Sequence, residues 1–175
     1  AGPAGGRGGG GVSGRPVDPG VGRRAGRAWA GAAKLARARV PGARHTVSYK
    51  TTPDGDKAAV EFTGGRGVDH VVEVGGAGTF AQSFGAIRVG GKISMIGNRS
   101  GPATEFNPGL IMGKRANLQG ISVGSTQMFE AVNRMITANA IKPVIDKVFG
   151  FDEVKAAYQH MASGAHFGKI VVRVG

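Results

Sequence analysis

The stretch that decides the fold is VVEVGGAGTFA, from Val71 to Ala81. Its apolar residues are typical of a buried strand, and they stop at glycines, after which Thr79-Phe80 can begin a helix. A glycine turn at the carboxyl end of such a strand lets a ligand approach bare backbone and meet the positive end of the helix. The stretch therefore predicts a strand, a turn and a helix, with nucleotide binding as the first functional hypothesis.

The same turn carries an incomplete dinucleotide motif. Gly76-x-Gly78-x-x-Ala81 has the required spacing and stands between a predicted strand and a predicted helix. An acidic residue should bind the ribose about 20 residues later, but Gly97 and Asn98 occupy that place. Two interpretations stay open: a dinucleotide turn, or a glycine turn that only lets helix and strand pack closely.

Strand and helix patterns alternate on both sides of this turn. Strands are predicted at residues 45–49, 70–74, 92–97, 118–124, 141–149 and 169–174, and helices at 33–39, 54–62, 79–91, 126–139 and 152–161. Alternating elements with near-continuous Val and Ile runs favour an α/β fold in which helices cover a parallel sheet on both faces.

Residues 1–31 differ in composition from the rest of the chain. They are almost wholly Gly, Ala, Arg and Pro, show no helix or strand period, and contain Pro16 and Pro19. Gly6 to Gly11 fits a G-x-G-x-x-G pattern, but no strand precedes it and no amphipathic helix follows. We expect a low-complexity segment that is disordered or, because these residues have GC-rich codons, a wrong-frame translation. A folded domain is expected over residues 32–175.

Composition excludes several classes of protein. A length of 175 residues suits one domain, and the absence of cysteine excludes disulfides and thiolate zinc sites. No apolar run approaches the roughly 18 residues of a membrane span, and the glycine-rich start lacks the apolar core of a signal peptide. A cytoplasmic location without membrane contact is the expectation.

The net charge of +12 is unevenly distributed. Residues 1–45 hold nine Lys or Arg against one Asp, whereas residues 46–175 hold fourteen Lys or Arg against ten Asp or Glu. The body also has few aromatic residues to stack on bases, so nucleic acid is not the expected partner. A Gly/Arg-rich nucleic-acid-binding protein remains an alternative that depends on residues 1–31.

Catalytic motifs are sparse. The four histidines lie far apart in the sequence, without H-E-x-x-H spacing: His45, His70, His160 and His166. Each is expected to be structural or exposed, and no residue is assigned a catalytic role.

Three polar residues fit a ligand or an ordinary structural role equally well. Lys169 is either a phosphate-binding cation or an exposed lysine at the start of a strand. Ser125 and Thr126 either cap a helix or stand where a cofactor amide binds.

Several segments together resemble a known family. They include VDHVVEVGG from Val68, IKPVID from Ile141 and HFGKIV from His166. In this order, between about Ala32 and Gly175, they resemble the medium-chain dehydrogenase/reductases, specifically the zinc-type alcohol dehydrogenase-like or quinone oxidoreductase-like members. The resemblance implies a Rossmann-type doubly wound parallel sheet, of which residues 32–175 form the carboxyl-terminal, NAD(P)-binding part.

The resemblance also implies a site. The Gly75-Gly76 turn would follow the fourth strand, near the nicotinamide half of the cofactor, and would not be the pyrophosphate fingerprint. Lys169 matches a late basic position that approaches the phosphates. The implied cofactor-binding residues are Val74, Gly75, Gly76, Gly97, Asn98, Val123, Gly124, Ser125 and Lys169.

Other parts of the family pattern have no match in the sequence. The catalytic domain, which would hold any zinc, has no counterpart, so we expect a cofactor-binding fragment of an NAD(P)-dependent alcohol, carbonyl or quinone oxidoreductase, inactive alone. Nothing selects NAD over NADP, because the second strand is not recognisable.

In the 3-2-1-4-5-6 strand order, missing first and second strands would leave residues 46–49 unpaired and expose an edge at residues 70–74. A homodimer through the strand Leu118 to Val123 is expected, and a non-catalytic self-association module is a further alternative.

Overall fold

The computed structural model describes residues 27–30, 34, 45–48, 50–98, 100, 101 and 105–175. The predicted helix at residues 33–39 lies outside the described residues apart from Lys34, and so does most of the segment 1–31.

Strands and helices alternate along the described chain. The strands are β1 (Arg27–Ala30), β2 (His45–Ser48), β3 (Val68–Glu73), β4 (Ile87–Met95), β5 (Asn117–Gly120), β6 (Ile145–Phe149) and β7 (Lys169–Val172). The helices are α1 (Gly55–Phe62), α2 (Phe80–Ala86), α3 (Gly109–Lys114), α4 (Thr126–Ala138) and α5 (Val154–Ala162), the last preceded by a 3-10 turn at Phe151–Glu153. None of the helices in the described ranges is long and apolar enough to cross a membrane.

All strand pairs in the described residues are parallel, which confirms the predicted α/β class. Strand β3 pairs with β4, and β4 with β5, while β1 pairs with β2. Strands β1 and β2 form a two-stranded sheet of their own, which does not pair with β3 in the described residues. Among these residues β3 has a partner only on its β4 side.

Strand β1 was not predicted. It pairs in register with β2, from Arg27 opposite His45 to Ala30 opposite Ser48. Residues 46–48 are therefore not left unpaired, contrary to the expectation. Four residues in a glycine- and arginine-rich context carry too little periodicity to be recognised, because it is the pairing with β2 that makes them a strand.

The helix after the glycine turn is shorter than predicted. It ends at Ala86, and Ile87 begins β4 opposite Val68 instead of continuing the apolar face of the helix. Gly90 has a φ of +70° inside β4 and marks an irregular stretch of the strand, not the end of the helix. A buried isoleucine at position 87 fits the 3.6-residue period of a helix as well as the two-residue period of a strand. Spacing in the sequence therefore placed the end of the helix too late.

The core lies between α2 and the three-stranded sheet. Phe84, Ile87 and Ile93 are almost completely buried. Val71, Phe80, Met95, Leu110, Ile111, Ala116 and Leu118 pack around them. This core holds α2 and α3 against β3, β4 and β5.

The last two strands form a separate sheet. Strand β6 pairs with β7, and neither pairs with β3, β4 or β5 in the described residues. This differs from the expected single parallel sheet, because parallel strand pairs look alike in sequence whichever sheet they belong to.

Candidate functional site at the carboxyl ends of the central strands

The candidate site lies where three parallel strands end side by side. The N–H of Ile96 donates to the carbonyl of Glu73 at 2.9 Å, and the N–H of Ile121 donates to the carbonyl of Met95 at 2.8 Å. The residues after each strand therefore leave the sheet at the same edge. In open parallel sheets this edge is where ligands bind.

The turn after β3 is built around a buried carboxylate. Glu73 is 3% exposed. Its Oε1 atom accepts hydrogen bonds from the Gly75 N–H at 2.7 Å and the Gly76 N–H at 3.0 Å. The Thr79 hydroxyl also donates to Oε1, at 2.6 Å, and the Ser83 hydroxyl donates to Oε2. One side chain thus holds both the glycine turn and the start of α2.

The loop after β4 closes onto this turn. The Ser100 N–H and hydroxyl both donate to the Gly75 carbonyl, at 2.7 Å and 2.6 Å. The Ser100 hydroxyl oxygen accepts from the Gly78 N–H at 2.8 Å. Two loops from neighbouring strands are therefore joined by three hydrogen bonds at one serine.

Glycine is required at two points of this contact. Gly76 has a φ of +82°, and a side chain there would overlap Asn98. A Cβ atom on Gly97 would lie 2.8 Å from the Val74 carbonyl oxygen. Four of the predicted site residues, Val74, Gly76, Gly97 and Asn98, thus meet in space.

The loop after β5 is more open. Val123 is 96% exposed, and Ser125 caps α4 by accepting from the Met128 N–H at 3.2 Å. Among the described residues no hydrogen bond joins Val123, Gly124 or Ser125 to the other two loops. The capping role proposed for Ser125 is present, and its side chain is exposed.

Lys169 is outside the central sheet, since its strand pairs only with β6 among the described residues. It begins β7, its N–H donates to the Val144 carbonyl at 2.8 Å, and its side chain is exposed. In the described part of the chain it makes no hydrogen bond to the central strands' loops.

Sequence reasoning missed Glu73 and Ser100. The role of Glu73 could have been predicted from the sequence. An acidic residue inside the apolar run VVEV needs hydrogen-bond donors once it is buried. The role of Ser100 could not, because it depends on a loop that meets the turn only in the folded chain.

The histidines form no metal-binding cluster in the described residues. The His70 Nε2 atom lies 2.8 Å from the Ser94 hydroxyl, and the His160 Nε2 atom lies 2.8 Å from an Asp146 carboxylate oxygen. The sequence contains no cysteine. Within the described ranges no group of three His, Asp or Glu side chains could hold a metal ion. The described residues therefore do not fit a zinc site.

One surface carboxylate has a shifted pKa. Hydrogen bonds from Arg66 at 2.8 Å and from Arg88 at 2.7 Å hold the pKa of Asp69 well below its usual range. Asp69 lies in β3 at the end opposite to the glycine turn, so this cluster ties the strand's beginning to β4 and takes no part in the site.

Comparison with known proteins identifies relatives of this chain. The sequence profile of the zinc-binding dehydrogenases matches residues 41–172. The chain belongs to this family. A zinc-type alcohol dehydrogenase-like protein of Schizosaccharomyces pombe is 43% identical over 145 residues, which cover 81% of this chain and 42% of that protein. The resemblance inferred from the sequence is confirmed.

Solved structures of dehydrogenases share the fold. A crystal structure of an NAD-dependent alcohol dehydrogenase superposes with a TM-score of 0.75 at 30% identity, covering 85% of this chain and 43% of that one. A mycobacterial protein complexed with NADPH superposes with a TM-score of 0.70 at 22% identity, covering 85% of this chain and 49% of that one. The latter likeness concerns the fold alone. The chain thus spans less than half the length of each of these three proteins.

Proposed function

We propose that this chain holds a nicotinamide dinucleotide at the carboxyl ends of β3, β4 and β5. It would do so as the cofactor-binding part of an oxidoreductase acting on an alcohol, a carbonyl compound or a quinone. The observation that carries the proposal is the meeting of the Gly75-Gly76 turn with the Gly97-Asn98 loop at this edge of a parallel sheet. Family membership and the fold supply the class of ligand.

The proposed contacts come from three loops. Val74, Gly75 and Gly76 follow β3, Gly97 and Asn98 follow β4, and Val123, Gly124 and Ser125 follow β5. The glycines of the first two loops let the ligand approach the backbone closely, and the exposed third loop would cover the ligand.

Lys169 keeps its proposed role toward the phosphates on the strength of its charge and exposure. Since no described residue discriminates the ribose, the proposal covers both NAD and NADP.

The cofactor and the protein have different roles in the proposed reaction. The nicotinamide supplies the hydride step when it is bound, and this chain's residues bind and orient it. None of the described side chains at the edge is placed to transfer a proton, so no catalytic residue is assigned.

Calorimetric titration of NADH and NADPH into the full chain tests the proposal. Gly97→Ala should weaken binding at least tenfold, because the added methyl group meets the Val74 carbonyl and displaces one loop from the other. Gly113→Ala is the matched control, since a methyl group there meets no atom within 4 Å. Failure of the wild-type chain to bind either dinucleotide would refute the proposal.

We also propose a homodimer through the edge of β5. This strand has a partner only on its β4 side among the described residues, and Ile121 and Val123 beyond it are exposed. An unpaired edge flanked by apolar side chains is a template for pairing with a second copy.

Light scattering after gel filtration should give the mass of a dimer. Val123→Lys should shift it toward the monomer, whereas Met112→Lys, at an exposed position in α3, should not. The same monomeric mass for all three proteins would rule this interface out. The cytoplasmic location stays a prediction, testable by cell fractionation.

A further inference from the structure

Helix α4 presents an apolar face that the described parts of the chain leave largely uncovered. None of its 13 residues is buried. Met128 is 61% exposed and Phe129 is 64% exposed. Helices of this length are marginal in water, and most of their stability in proteins comes from the packing of an apolar face. Large apolar side chains exposed side by side are typical of a surface that binds another protein.

The apolar residues of α4 form one stripe centred on Val132. Positions three and four residues before and after Val132 lie on the same face of the helix as Val132. These positions hold Met128, Phe129, Met135 and Ile136. We call these five residues the α4 stripe. Because its members are spaced equally on both sides of Val132, the stripe has the same spacing in either direction along the helix.

The charged residues of α4 lie away from the stripe. Glu130 and Arg134 are each two positions from Val132, which places them on the opposite side of the helix. The positions that border the stripe hold the uncharged residues Ala131 and Asn133. A net charge of +12 opposes the association of two copies of this chain. Two stripes can nevertheless meet without bringing like charges together.

An equally spaced stripe fits a second copy of itself. When two such helices lie antiparallel about a two-fold axis at Val132, Phe129 faces Ile136 of the second copy. Met128 then faces Met135 of the second copy, and the two Val132 side chains meet on the axis. Each off-axis contact occurs twice, as a two-fold axis requires. Every apolar side chain of the stripe therefore has an apolar side chain opposite it.

We propose that α4 pairs with α4 of a second copy through the α4 stripe, antiparallel and centred on Val132. This inference rests on the proposed homodimer and adds a second part to its interface. A stable interface buries about 800 Å² of each partner, which is more than the edge of a four-residue strand offers. The α4 stripe and the exposed residues Ile121 and Val123, which lie between β5 and α4, supply further apolar area.

Disulfide cross-linking tests the position of the axis, because the chain has no cysteine of its own. Two cysteines join only when their Cβ atoms lie about 3.5–4.5 Å apart, so a single variant cross-links to itself only near the axis. The full-length Val132→Cys chain is incubated with oxidised glutathione and run on a non-reducing gel. At least about half of it should run as a covalent dimer, against less than about a tenth of Arg134→Cys, the control on the opposite side of α4. Equal yields in the two variants would overturn the proposal.

A mixture of two variants tests the direction of the helices. Met128→Cys and Met135→Cys chains should yield more covalent dimer when mixed than when each is incubated alone, because antiparallel pairing places position 128 of one copy opposite position 135 of the other. Parallel helices would cross-link each variant to itself, and that result would overturn the antiparallel pairing.

A charge placed in the stripe tests the contact without a cross-link. Val132→Glu should raise the dissociation constant of the dimer at least about tenfold in sedimentation equilibrium, because two carboxylates would meet on the axis. Gln127→Glu adds the same charge on the polar side of α4 and should leave this constant unchanged. Equal dissociation constants for the two variants would contradict the pairing.

The pairing of α4 and the pairing of β5 edges fail in different ways. A dimer in light scattering without a Val132→Cys cross-link would refute the α4 pairing alone. A Val132→Cys cross-link together with a dimer mass that Val123→Lys leaves unchanged would support the α4 pairing and refute the β5 edge. A monomeric wild-type chain would refute both.

Discussion

Replacing Glu73 by alanine should be one of the most destabilising single changes in this chain. The variant removes the acceptor for four donors. The Gly76 N–H and the Ser83 hydroxyl form buried hydrogen bonds with Glu73, while the Gly75 N–H and the Thr79 hydroxyl are half-buried. Water can reach the half-buried pair but not the buried pair. At about 1–3 kcal/mol for each buried donor without a partner, the expected loss is about 4 kcal/mol.

Glu73→Gln separates hydrogen bonding from charge. Its amide oxygen can replace Oε1, and its NH2 group can donate to Ser83, whose hydroxyl can also accept. Only the additional strength that the negative charge gives these hydrogen bonds is lost. We therefore expect the free energy of unfolding to fall by about 1–2 kcal/mol.

Urea unfolding of the full chain, followed by circular dichroism, measures both free energies of unfolding. The exposed Glu61→Gln variant is the control and should stay within about 0.5 kcal/mol of wild type. A Glu73→Ala variant within about 1 kcal/mol of wild type would refute the role of this carboxylate.

Two further predictions concern the glycine turn and the start of β3. Gly76→Ala should cost at least about 1 kcal/mol more than Gly64→Ala, because both have positive φ but only the methyl group at Gly76 overlaps a neighbour. Equal losses in urea unfolding would contradict this. Asp69→Asn should cost less than about 1 kcal/mol at pH 7, since the ion pairs with Arg66 and Arg88 are exposed. The folded state lowers the pKa of Asp69, so its contribution is present above the unfolded pKa and lost on acidification. The difference from wild type should shrink below about pH 4 and in high salt, and a difference that grows on acidification would contradict the reasoning.

The sequence was sufficient to predict the central unit of strand, turn and helix. The apolar run before Gly75 and the helical spacing of Phe80 and Phe84 are local patterns, and the structure has β3 and α2 there. The order of family-like segments was also enough to predict the family and the parallel sheet.

Features that depend on distant contacts could not be predicted. Strand β1 becomes a strand through β2, and Ser100 joins the site only because its loop folds over Gly75. The start of β4 at Ile87 was misplaced because a buried isoleucine fits the helical face as well as the strand. Lys169 was assigned to the cofactor phosphates from the family resemblance alone, and the pairing of its strand with β6 leaves that role a prediction.

The central claim is that the carboxyl ends of β3, β4 and β5 hold a nicotinamide dinucleotide. Chemical-shift mapping on the ¹⁵N-labelled full chain tests this claim most directly, with NADH as the added ligand. The account predicts concentration-dependent shifts at Val74 to Gly76, at Gly97 and Asn98, and at Val123 to Ser125. Shifts confined to β6 and β7, or no shifts at millimolar NADH, would contradict it.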